Sequence, residues 1–219
     1  MSVVAEPVRS SQVVADKSPA HYCTSLVNRA SDFLWERRLG IRTQGRAESP
    51  HPDAHAYGYL SFHTYFAILD SLNLTRTDIV ADLGCGKGRI ACAAALYDIR
   101  ESIGVEIDPQ LAAAAEANAL RLRSRRASLR IVEDSATEID YDPVSVIVMF
   151  HPFGRETMDS VMDRLEESVA RRPRLLRIVY ANPLFDDVLA DRPWLERYTA
   201  WNPGRWSRIK FPVYFYRSR

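Results

Sequence analysis

Cysteine is scarce, with only Cys23, Cys85 and Cys92 in 219 residues. An odd, sparse set without metal-ligand pairing excludes a disulfide framework and leads to the expectation of reduced thiols and a cytoplasmic address. Net charge is also nearly absent: 29 Lys and Arg stand against 28 Asp and Glu, a formal charge of +1. No global field then draws the chain to nucleic acid or an anionic membrane, so neither is expected as a partner. No apolar run approaches the roughly 18 residues a membrane-spanning helix needs. The first residues lack the basic start and apolar stretch of a secretory signal. Metal ligands are sparse too. His51, Asp53 and His55 lie close together, but Pro52 spoils the spacing of a helical pair and no further ligands follow, so no metal is expected.

What is present is enough apolar residue, 47%, for one well-buried core. Residues 1–19 carry no helical period and are expected to be disordered. Residues 20–56 form an accessory unit. Within it, Leu26, Ala30, Phe33, Leu34 and Trp35 recur at three-to-four spacing over His21–Leu39, which predicts an amphipathic helix with that face buried and its end at Gly40. The stretch Ile41–Gly58 reads as a loop long enough to serve as a lid. A second helix carries Leu60, Tyr65, Phe66, Leu69 and Leu72 on one side and ends near Asn73.

From there apolar strands alternate with helices, the order that builds a parallel sheet. The strands expected are Ile79–Leu83, Ser102–Ile107, Leu129–Val132, Val144–Phe150, Leu175–Tyr180, Leu195–Thr199 and Ile209–Tyr216. Helices are expected over Gly88–Tyr97, Pro109–Arg123, Arg155–Ala170 and Leu184–Ala190. The few residues between the last two strands can join only antiparallel neighbours. The fold class is therefore α/β, Rossmann-like, a mostly parallel seven-stranded sheet closing on a C-terminal antiparallel hairpin, with helices on both faces. No internal repeat or low-complexity tract interrupts it.

The densest local signal is Val80-Ala-Asp82-Leu-Gly84-Cys85-Gly86-Lys-Gly88-Arg89-Ile90, a buried strand running through a glycine turn into a helix. Glycines there let a backbone approach a ligand closely. A dinucleotide site prefers G-x-G-x-x-G, whereas Arg89 stands where the third glycine belongs, which argues against NAD. Asp82 beside the turn repels phosphate and attracts an ammonium group. On the next strand Glu106, in Gly104-Val-Glu106-Ile107-Asp108-Pro, can accept from both hydroxyls of a ribose. Glu133 and Asp134, in Ile131-Val-Glu133-Asp134-Ser135-Ala136, can accept from an adenine amino group. Any one of these carboxylates alone reads equally well as a solvated strand end, and the glycines alone as a tight turn without a ligand. Their joint spacing converges on one nucleoside-shaped ligand.

These motifs, with the later Phe150-His151-Pro-Phe-Gly, resemble the successive motifs of the class I S-adenosylmethionine-dependent methyltransferases from Tyr57, over residues 57–219. The resemblance implies an enzyme with S-adenosyl-L-methionine as cofactor. It further implies that Asp82, Gly84, Cys85 and Gly86 line the methionine end of the donor, that Glu106 binds the ribose and that Ile107 packs on the adenine. Asp134 and Ser135 would border the base, and the Tyr57–Tyr65 segment would close over the methionine end. Relatives carry Asn or Asp where this chain has His151, and the departure makes His151 a candidate general base, or else a strand cap. Tyr59 is named beside it as a catalytic candidate, and Phe150 as a wall of the donor site. Tyr57, Tyr59, Phe62 and Phe150 offer faces to a cationic donor, or serve as core packing. The expected acceptor is the O or N atom of a small molecule. The alternatives are a protein or peptide side chain, held in a groove made by the accessory helix, or a binding protein that keeps the fold without turnover. Arg121, Arg123, Arg125, Arg126 and Arg130 read as a solvated helix terminus, with an RNA contact as the other reading.

Overall fold

The computed structural model describes residues 19–45, 57–203 and 209–219. Two expectations fall elsewhere: the disorder of the N-terminal residues, up to residue 18, and the metal reading of residues 51–55 lie outside the described residues. Helix α1 is Pro19–Leu39 and α2 is Phe62–Ser71. The α/β body follows as β1 Ile79–Leu83, α3 Arg89–Ala94, β2 Glu101–Glu106, α4 Pro109–Arg121, β3 Ser128–Glu133 and β4 Val146–Phe150. It continues as α5 Arg155–Arg171, β5 Arg177–Ala181, α6 Asp186–Ala190, β6 Leu195–Trp201 and β7 Val213–Ser218.

Seven strands form one sheet in the order β3-β2-β1-β4-β5-β7-β6. Strands β1 to β5 are parallel, and β7 inserts antiparallel between β5 and β6. The expected fold class and closing hairpin are thus present. Strand β1 is buried along its whole length, as a central parallel strand covered on both faces must be. Its side chains alternate: Ile79, Ala81 and Leu83 pack with Met158, Val161 and Leu165 of α5, while Val80 packs with Ile68 and Leu69 of α2 and Ile90 of α3. The chain crosses to opposite sides of β1 at the β1/β4 boundary, and the crevice outside the carboxyl ends of such strands is where ligands of this architecture bind.

Several boundaries differ from the sequence expectation for identifiable reasons. The last strand starts at Val213 instead of Ile209, just after Pro212, which has no N–H to give a ladder. Strand β5 starts at Arg177 instead of Leu175, and Leu175 is exposed. Ile107 lies one residue past β2, because Asp108 caps α4: its carboxylate accepts from Gln110 N at 2.8 Å and Leu111 N at 3.1 Å, with Pro109 at the first helical position.

The largest correction concerns α1. Its period is helical as expected, but its orientation is reversed. Asn28, Asp32, Glu36 and Leu39 face the body, and of the expected face Trp35 joins them, half-buried against Phe62 and Phe66, whereas Leu26, Phe33 and Leu34 are 66%, 57% and 65% exposed. The physical reason is Arg89, buried to 2% at the start of α3. A guanidinium there cannot be neutralised by losing its proton, so it demands carboxylates. Its NH1 lies 3.0 Å from Asp32 and its NH2 3.0 Å from Glu36. Nε donates to Thr43 Oγ1 at 2.7 Å, and the cation lies 4.0 Å from the Tyr59 ring centre and 4.5 Å from that of Phe62.

The expected lid is also revised over its described part. Thr43 is wholly buried, and its N–H and hydroxyl both donate to Glu36 Oε1, at 2.7 and 2.6 Å. Asn118 of α4 accepts from Arg42 N at 2.8 Å and donates to the carbonyls of Arg42 and Lys87. Residues 41–45 are therefore a strap fixed to the body. Residues 46–56 lie outside the described residues.

Candidate active site

The turn after β1 places Gly84, Gly86 and Gly88 at φ +69°, +54° and +77°, a region open to glycine at little cost. Close approach matters as well as φ. A Cβ on Gly84 would meet Pro152 at 2.3 Å, and one on Gly86 would meet the Tyr57 ring at 2.3 Å. The glycine turn is thus held between Pro152 after β4 and Tyr57 of the incoming segment. Tyr57 is fixed in turn, its hydroxyl donating to Thr43 O at 2.5 Å and its ring lying 5.3 Å from Lys87 Nζ.

Asp82, Tyr59, Tyr65, Gly84, Cys85 and Phe150 line a small cavity of about 20 Å³ at the ends of β1 and β4. Asp82 is 2% exposed and accepts one hydrogen bond, from Ala91 N at 3.2 Å. Burial drives its carboxyl well above the usual range, and nearby Glu106 adds to the rise against the Ala91 bond. Among the described residues it has no cationic partner. A buried carboxylate without a cation is a receptor for one.

Glu106 ends β2 next door. Its Oε2 accepts from Gly86 N at 2.7 Å and its Oε1 from Asp108 N at 3.0 Å. Burial raises its carboxyl too, opposed by these backbone donors. Two N–H bonds leave further acceptor capacity on a group with about four lone-pair sites. Asp134 is exposed at the end of β3, its Oδ1 accepting from Ser135 N at 2.7 Å. The backbone bond from Asp134 N to Glu106 O, 3.1 Å, holds these two ends together. Ile107 is half-buried beside them. The Cys85 thiol is buried and shifted upward by desolvation, so it stays protonated and packs as an apolar group.

His151 stands apart from this line. Its backbone adopts φ +41°, uncommon for a side chain other than glycine, and Pro152 beyond it reaches Gly84. Its ring turns toward β5, with Nδ1 3.2 Å from the Tyr180 hydroxyl and the ring centre 5.4 Å from Phe185. It lines neither the small cavity nor the larger cleft beside it. Tyr59 lines both, with one face against Arg89.

That cleft, of about 450 Å³, opens to solvent and shares Gly58, Tyr59 and Phe150 with the small cavity. Its other walls are Asn28, Arg29 and Asp32 of α1, Leu60 to Thr64 in part, and Lys210 with Phe211 before β7. Phe211 packs on Phe150 with ring centres 5.4 Å apart. Sequence reading missed Arg29, Phe211 and Arg89. Only Arg89 left a signal, as a long cation in a turn that usually has room for a small residue.

A mostly parallel sheet with this strand order, a glycine turn after β1 and acidic residues closing β1, β2 and β3 is the Rossmann-like fold shared with the class I S-adenosylmethionine-dependent methyltransferases, as the sequence motifs implied. More particularly, residues 82–183 match the ANTKMT methyltransferase domain. The chain is 40% identical over 85 residues to the ribosomal protein L11 methyltransferase of Shigella sonnei (strain Ss046); the matched part is 38% of this chain and 29% of that protein. Among solved structures, the ribosomal protein L11 methylase of Lactobacillus delbrueckii subsp. bulgaricus superimposes with a TM-score of 0.55 at 17% identity, over 76% of this chain and 81% of that one. The RNA methyltransferase of Salinibacter ruber, in complex with S-adenosyl-L-homocysteine, gives 0.54 at 19% identity, over 72% and 92%. These structural likenesses establish the fold. The expectation of a small-molecule partner, with nucleic acid unlikely, is corrected: the three proteins just described are named for protein and RNA substrates, and a net charge near zero carries no information about a local docking surface. Among the described residues no helix is long and apolar enough to cross a membrane, and no cluster of His, Cys, Asp and Glu could hold a metal.

Proposed function

We propose that the chain transfers a methyl group from S-adenosylmethionine to a side chain of a protein or peptide, in the cytoplasm. The observation that carries this reading is the cleft beside the donor cavity. It is open along α1, as a surface-bound polypeptide requires, and it narrows past Tyr59 and Phe150 to the strand ends, as one extended side chain requires. The sequence relative named as a protein methyltransferase supports the same class.

The donor brings an activated methyl on a sulfonium, so the protein's task is alignment more than acid or base chemistry. In this reading Asp82 holds the cationic amino-acid end and Glu106 the ribose hydroxyls. Ile107, Asp134 and Ser135 border the base. Phe150 and Tyr59 form the collar through which the acceptor atom is presented, and exclude water from it. His151 positions Pro152 over Gly84 and takes no proton from the acceptor.

Incubation of the protein with methyl-labelled donor and a cell extract tests the acceptor class. Label is expected in the macromolecular fraction, released by protease and untouched by nuclease. Label released by nuclease, or found in the small-molecule filtrate, would sink the protein-acceptor reading; donor binding without any labelled product would mark a binding protein instead. Arg29→Glu, at the cleft mouth, should lower turnover with donor affinity unchanged.

Asp82 and Glu106 also predict opposite pH responses. Both carboxyls are raised in the folded state, so the native chain binds more protons than the unfolded one between the ordinary carboxylate value, about 4, and the raised values. Acidification through that window therefore stabilises the unliganded fold. It also removes the charges that attract the donor. Donor titrations over pH should show affinity falling as the unliganded melting temperature rises, and Asp82→Asn should flatten both trends. Affinity independent of pH would remove Asp82 from the donor's cationic end.

A further inference from the structure

From the outward face of α1 and the arginines gathered at its end, we infer that this side of the molecule docks on an anionic lipid surface. On the described part of α1 the exposed positions are Leu26, Val27, Ala30, Phe33 and Leu34, with Arg29, Arg37 and Arg38; the only acidic residues, Asp32 and Glu36, are drawn inward by Arg89. An exposed helix face of apolar residues and arginine without acid offers an anionic interface apolar side chains to bury and cations for its headgroups.

The fold enlarges this face with a second, independent element. Arg123 N donates to Leu39 O at 2.9 Å, and an ideal Cβ on Gly40 would sit 3.0 Å from Arg121 O and 3.3 Å from Arg123 Nε. This contact brings the end of α4 and the loop after it, with exposed Arg121, Arg123, Arg125 and Arg126, against the end of α1 where Arg37 and Arg38 stand exposed. These two joined segments carry six exposed arginines, and among the described residues none of the six is in an ion pair. A chain of net charge +1 thus carries a local field that its overall charge conceals.

Both halves of the patch select the occupant. Nucleic acid would satisfy the arginines but leave Leu26, Phe33 and Leu34 in water. A second copy would set the same patch against itself, as a twofold contact does, and oppose six arginines with six more. A bilayer containing acidic headgroups takes the arginines at its surface and the apolar side chains below them. The inference is independent of the acceptor's identity.

Flotation of the whole chain with vesicles tests it. The protein is expected to float with phosphatidylglycerol–phosphatidylethanolamine vesicles, to float far less with phosphatidylcholine alone, and to be released by salt. Phe33→Ser/Leu34→Ser should cut partitioning by about tenfold or more. Arg37→Glu/Arg38→Glu should do the same and also weaken the salt dependence. Unchanged donor binding shows that each variant is folded. Failure to float with the anionic vesicles, or equal flotation with both kinds, would overturn the inference. So would tight binding of poly(U) that Phe33→Ser/Leu34→Ser leaves intact without flotation, or a dimer that this variant splits.

Discussion

Replacing Arg89 by methionine is expected to cost the fold about 3–5 kcal/mol, because it leaves two buried carboxylates without their cation. The Asp32 and Glu36 side chains are 5% and 11% exposed, too deep for water to take over. Methionine keeps the packing between Tyr59 and Phe62 and so isolates the charge. Asp32 also accepts from Phe62 N at 2.8 Å, at the start of α2, and Glu36 anchors Thr43. Disorder in this cluster would therefore spread to α1, α2 and the strap. Urea denaturation should show a lowered midpoint for Arg89→Met, and Arg89→Met/Asp32→Asn/Glu36→Gln should recover most of the loss by removing the orphaned charges. A single variant within about 1 kcal/mol of the parent would mean that the ion cluster stabilises neither helix; the threshold is the ordinary effect of a substitution away from such features.

The same cluster marks where the sequence stopped being readable. Strand β1 was legible because Ile79–Leu83 is a short apolar run ended by a glycine turn, and both its faces are buried. The hairpin was legible because the few residues after Trp201 cannot make a parallel crossover. Glu106 was legible as the acidic end of a strand and Pro109 as a helix start, since proline suits the first helical position. The face of α1 was not. Leu26, Ala30, Phe33 and Leu34 have the right period, and period alone assigns apolar residues inward. It cannot register that a cation 53 residues further on outweighs them. The cleft was hidden for a related reason: its walls come from α1, residues 58–64 and residues 209–211, and no local pattern relates the three. His151 was legible as a departure from its relatives, but its φ and its turn toward Tyr180 depend on the packing of Pro152 against Gly84.

Gly86→Ala should be the most damaging single methyl in the site, with an expected loss of about 2–4 kcal/mol shared between stability and affinity for S-adenosylhomocysteine. Part is backbone strain, since φ at +54° costs a residue with a Cβ about 1–2 kcal/mol. The rest is overpacking against Tyr57, 2.3 Å from the new atom. Tyr57 cannot swing aside cheaply, because its hydroxyl bond to Thr43 O and the Lys87 cation over its ring would both be lost. A double-mutant cycle separates the two terms. In a Tyr57→Ala background the ring is gone and only the strain remains, so Gly86→Ala should there cost about 1–2 kcal/mol. Equal costs in the two backgrounds would show that Tyr57 yields freely, and the segment that bears it would then be a loose cover instead of a collar braced against the glycine turn.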